Sequence, residues 1–202
     1  PDKLWLVSGS FKITPTGVLY ILPGTKLQID TKIVNDGKIY ALGTKDSSIF
    51  ITGKQIESGV SQGYINFKHV ILDLELGGGG TLGYMLTNQT GILENCKIIL
   101  KGFRGFASTQ LKVLDCFFKN CNATQNFYGD DFFIRCNFDN MEGSDGLYWG
   151  YGLKNKFKFN NFSRYIQLNR NHWSRCQLEF LKGNNFLGSF KTTDYQSGDE
   201  YY

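Results

Sequence analysis

The chain has 202 residues, a formal net charge of +4, 41% hydrophobic residues and 20% charged ones. That length and balance fit one globular domain spanning residues 1–202. The mild, interspersed charge gives no electrostatic footprint for nucleic acid, and no apolar run reaches the ~18 residues a membrane-spanning helix needs. No signal-peptide pattern opens the chain, and Pro1 already lies in strand-like sequence, so a mature or trimmed piece of a longer protein is expected.

From the front, residues 8–52 alternate apolar and polar side chains, the signature of strands with one buried face. Pro23-Gly24 and Asn35-Asp36-Gly37 supply turn chemistry between them. The expected inward positions are Leu19, Ile21, Leu27, Ile29, Ile39, Leu42, Ile49 and Ile51. The Gly77–Gly80 run lacks the Lys-Ser/Thr ending of a phosphate loop and reads as a loop between strands.

From Gly91 onward the chain repeats. Cys96, Cys116 and Cys136 stand 20 residues apart, and Cys176 falls on the same count with Lys156 in the missing place. Apolar residues alternate with them: Ile98, Phe118, Phe138 and Leu178. In the Lys156 row the alternation slips to Phe157 and Phe159. A buried unpaired lysine is costly, so one extra residue is expected there, with Lys156 outward. A fixed period of this size marks a repeat architecture, and strands recurring at one phase stack in parallel about 4.8 Å apart. The expected fold is therefore all-β, a single parallel β-helix solenoid of about nine coils of roughly 20 residues. An antiparallel β-sandwich would show two-residue hairpin turns instead. Stacked cysteines read as buried, unbridged thiols behaving as small hydrophobes. Zinc does not suit them, because no CxxC pair exists and His69 and His172 are out of phase.

The segments GVLYILPGT (Gly17–Thr25) and GKIYALGT (Gly37–Thr44), followed by IFIT (Ile49–Thr52), resemble the opening coils of right-handed parallel β-helix proteins of the pectate-lyase-like superfamily. The later NCKI and DCFF rows resemble its repeat coils. The resemblance implies a right-handed solenoid and an extracellular or cell-surface address. It leaves activity open, since such folds host lyases, hydrolases and non-catalytic binders alike.

The outstanding polar-aromatic segments are Tyr128 with Asp130 and Asp131, and, about one coil on, Asp145 with Tyr148, Trp149 and Tyr151. Rings with carboxylates among them suit the apolar faces and hydroxyls of sugars. These seven residues are the expected ligand-binding face, and a polysaccharide or glycan is the expected partner. Asp130, Asp131 and Asp145 are the candidate carboxylates if the chain is instead a lyase or glycoside hydrolase. Arg104, Arg164 and Arg170 are available as bases, and in a lyase calcium would be the one cofactor. The expected function is a non-enzymatic carbohydrate-binding or surface (tail-fibre) module, with the enzyme and a structural spacer as alternatives. Exposed ends of such a rod need a cap, a neighbouring domain or another copy. Residues 192–202 read as a tail or a join to a further domain.

Overall fold

The protein is an all-β, all-parallel solenoid, described here as a computed structural model over residues 4–75, 85–101, 105–106, 110–119, 126–127, 132–139, 147–148, 156–158, 160–162, 166–169, 183–186 and 190–193. The chain winds through three sides in turn. One side is a nine-stranded sheet, built from Leu4–Val7, Lys26–Ile29, Ile49–Gly53, Val70–Glu75, Lys97–Lys101, Phe117–Lys119, Asn137–Asp139, Asn161–Phe162 and Asn185–Phe186. A second is a seven-stranded sheet running from Val18–Ile21 through Lys38–Leu42, Gly63–Lys68, Gln89–Glu94, Gln110–Leu114 and Phe132–Ile134 to Lys156–Lys158. The third side carries shorter sheets, the first being Ser10–Ile13, Lys32–Asn35 and Ile56–Glu57. About five turns are described around the rod, against the nine coils expected; the later turns enter mainly through the rungs they add to the sheets. Among the described residues no helix is long and apolar enough to cross a membrane.

Parallel pairing places like positions above one another, so period-two alternation becomes continuous interior columns. On the nine-stranded sheet Leu27, Ile51, Leu72, Ile98, Phe118 and Phe138 form one such column, all buried. The Phe118 and Phe138 rings stack at 4.6 Å and 8°. On the seven-stranded sheet Ala41, Phe67, Leu93, Val113 and Phe133 do the same. Gly91 sits beside this column with φ of 128°, where an added Cβ would lie 1.8 Å from the Ile65 carbonyl oxygen. No side chain fits there.

Two expectations need correction. Leu42 points outward and is 44% exposed, because Ile39 and Ala41 hold the inward phase and the next residue must face the other way. The lengthening near Lys156 is four residues, not one. Phe117 pairs with Asn137, 20 residues on, whereas Asn137 pairs with Asn161 and Asn161 with Asn185, 24 on each time. Phe157 therefore does not take the cysteine's place, which falls to Asn160; it pairs instead with the buried Phe133, and Lys156 pairs with Phe132. Phe159 and Cys176 lie outside the described residues.

Cys96, Cys116 and Cys136 are buried and unbridged, as their phase required. They stand at the corner between the two large sheets, each preceded by one residue in the left-handed region: Asn95, Asp115 and Arg135, all with φ of 53°. A single left-handed residue turns the chain sharply from one sheet into the next. The Cys116 Sγ accepts from the Cys96 N–H at 3.4 Å and points at the Leu93 carbonyl oxygen, 3.6 Å away. At the next position Asn160 takes the cysteine's place. Its Oδ1 accepts from the Cys136 N–H at 2.8 Å and its Nδ2 donates to the Phe133 carbonyl at 2.9 Å. Asn184 follows, accepting from the Asn160 N–H at 2.8 Å.

Candidate functional site

Because inward positions are filled by apolar side chains, chemistry on this rod has to come from outward positions, corners or ends. The expected ligand face falls largely outside the described residues: Tyr128, Asp130, Asp131, Asp145, Trp149 and Tyr151 all do. Of Tyr148 the backbone is described; it pairs with Gln167 on the third side.

The structure shows an aromatic face that sequence reasoning missed. Tyr20 and Tyr40 are direct register partners on the outer surface of the seven-stranded sheet. Their rings stack at 5.2 Å and 15°. Tyr64 continues the row diagonally, its ring 5.9 Å from that of Tyr40 and tilted by 51°. The tilt leaves ring surface turned to solvent, and Tyr20 is 67% exposed. Lys38 stands opposite Tyr64, and Asn66 opposite Tyr40. Lys38 is exposed, and one column over Lys68 is held by Glu94 at 2.9 Å. The signal was present in the sequence: Tyr20 and Tyr40 are themselves 20 residues apart, each off-phase from the buried isoleucines beside it.

The corner below the third side is polar and buried. Asn35 donates to Gln89 Oε1 at 2.7 Å, and the Gln89 amide donates to Ser58 Oγ at 2.6 Å. Asp36 Oδ1 accepts from the backbone N–H groups of Gly59, Val60 and Ser61 at 2.8, 3.0 and 3.1 Å, and Lys12 Nζ lies 3.1 Å from its other oxygen. The Ser61 N–H above all, with Lys12 and Gly59, holds the Asp36 carboxyl below its usual range against the opposing effect of burial. These amides already have their anion in Asp36, so the cluster fastens the loop at residues 58–61 rather than offering a site.

A cavity of about 390 Å³ opens at the N-terminal end of the rod, lined by side chains including Trp5, Phe11, Leu19, Tyr20 and Leu22. Among the described residues no three His, Cys, Asp or Glu side chains gather as metal ligands would. Compared with known proteins, the chain matches no family model, no curated protein and no solved structure.

Proposed function

We propose that this chain is a non-enzymatic, extracellular solenoid module of pectate-lyase-like type that binds carbohydrate along its outer surface. The observation that carries the reading is the outward tyrosine row Tyr20, Tyr40 and Tyr64, with Lys38 and Asn66 beside it. Exposed tyrosine rings combine an apolar surface with a hydroxyl, the pairing that a sugar ring needs. Their rung spacing of about 4.8 Å is comparable to the repeat of a sugar residue, so a glycan lying along the rod meets a ring at successive coils. The aromatic-carboxylate segments around Tyr128 and Trp149 are proposed, on their sequence alone, as a second place for a glycan.

A glycan array together with a polysaccharide panel assayed for reducing ends and unsaturated products tests it. Binding without product is expected, and Tyr20→Ala should weaken that binding about tenfold with little change in melting temperature. Product formation would transfer the chain to the lyases or hydrolases. Loss of binding on Trp149→Ala but not on Tyr20→Ala would move the site to the other face. A protein that binds no glycan at all would leave the spacer reading.

A further inference from the structure

Cys96, Cys116 and Cys136 occupy successive rungs of one interior column, free and buried. The backbone locks these rungs in register: the Phe117 N–H donates to the Cys96 carbonyl and the Asn137 N–H to the Cys116 carbonyl, each at 2.9 Å. Parallel stacking at about 4.8 Å per rung therefore sets the three sulfurs in a line. Cys116 stands in the middle, and its thiol hydrogen-bonds with those of both neighbours. Backbone carbonyls surround the line at sulfur distances of 3.3–3.6 Å. The wall over it is thin, since each cysteine directly follows an exposed corner residue, Asn95, Asp115 or Arg135.

We propose that this column binds a monovalent thiophilic cation of the copper(I) class, held between Cys116 and an adjacent cysteine. Sulfur ligands select such soft ions over the hard ones that carboxylates hold. Three thiols in a line do not surround a tetrahedral ion, but copper(I) accepts two sulfurs opposite one another. A thiolate–metal bond is about 2.3 Å, so two end to end span about 4.6 Å. That nearly equals one rung of about 4.8 Å, so the ion fits between rungs without moving the strands. The S–H bond of Cys116 breaks and its proton leaves to solvent. The sulfur keeps the electron pair and binds the ion, and a lone pair of the neighbouring thiol supplies the second bond. One positive ion replaces one proton, so the core gains no net charge.

The test uses the full chain carrying Cys121→Ala and Cys176→Ala, which leaves only the column's thiols. It is titrated anaerobically against the coloured copper(I)–bicinchoninate complex, and capture is read as loss of that colour. Capture with an unchanged circular dichroism spectrum is expected. Adding Cys116→Ser, which keeps a small hydroxyl at the corner, should weaken capture about tenfold or more. Cys96 and Cys136 are then two rungs, about 9.6 Å, apart and cannot share an ion. Cys96→Ser or Cys136→Ser leaves one adjacent pair and should weaken capture only about twofold, the statistical cost of losing one pair of two. No capture by the three-cysteine chain overturns the proposal. So does capture indifferent to Cys116→Ser, capture lost equally on all three replacements, or capture that proceeds only as the strand signal disappears. If Cys116→Ser does not fold, X-ray absorption at the copper edge of the loaded three-cysteine chain decides instead. Two sulfur neighbours are expected there, and nitrogen or oxygen neighbours overturn the site.

Discussion

The cysteine half and the asparagine half of one interior column solve the same problem differently. At Cys96, Cys116 and Cys136 each thiol reaches back to a carbonyl of the previous coil at 3.4–3.6 Å, and Cys116 also accepts weakly from the Cys96 N–H at 3.4 Å. At Asn160 the amide makes both of those contacts as full hydrogen bonds, at 2.8 and 2.9 Å, and adds one to Asn184. The thiol rungs are joined by 20-residue coils, and the amide rungs by 24-residue ones. The corner therefore demands a small group that can donate to one backbone atom and accept from another, and either chemistry meets it. What changes is the source of stability: packing dominates in the thiol half, and directed bonding in the amide half.

Deleting a ring beside the thiols should produce the largest effect. Phe118 is fully buried and stacked on Phe138, so Phe118→Ala should lower unfolding free energy by about 3–5 kcal/mol in urea titration. A loss under about 1 kcal/mol would mean the column collapses freely and the packing half is looser than described.

Asn160→Ala comes next. It removes the bonds that Asn160 makes to the buried Cys136 N–H and to the Phe133 carbonyl, a cost of about 1–3 kcal/mol on the same titration. Asn160→Cys sharpens the comparison, because a thiol at this corner should recover part of the loss; no recovery would show that the longer coils need an amide.

The smallest effect is expected at Cys116→Ala, about 1 kcal/mol, since its bonds are weak. Its signature is a pH dependence. Burial above all, with the neighbouring thiols, pushes the Cys116 pKa well up. A raised folded pKa gives stability that is intact below the unfolded value of about 8.5 and declines as pH climbs from there toward the folded value. Alkaline unfolding followed by circular dichroism should be shallower in Cys116→Ala than in the parent. Equal slopes would exclude this thiol as the cause.

Much of the fold was legible because a solenoid writes its architecture into a period. Cys96, Cys116 and Cys136 with Ile98, Phe118 and Phe138 disclosed both the phase and the burial. The period misled where it lengthened. Counting on by 20 pointed to Cys176, while the column continues through the Asn-Asn-Phe triplets at 160–162 and 184–186. An asparagine is not an obvious substitute for a cysteine until the hydrogen bonds of the corner are seen. Leu42 misled for a simpler reason: the larger apolar side chain was taken as inward, though parity gave that place to Ala41. The candidate site was less legible, because outward residues answer to no packing constraint and alternation cannot rank them. Tyr20 and Tyr40 stand out once register sets one over the other, and Tyr64, which meets them diagonally, is not marked by any fixed spacing.

The change in coil length has a mechanical consequence. Each coil is bonded through its strands to the coils directly before and after it, so tension applied between the two ends should strip the rod one coil at a time rather than all at once. At about 3.3–3.6 Å of extended chain per residue, a thiol coil releases roughly 70 Å and an amide coil roughly 80–85 Å. Within the stretch from Cys96 to Asn184 a pulled molecule would thus show two step lengths, the longer of them where the amides stand.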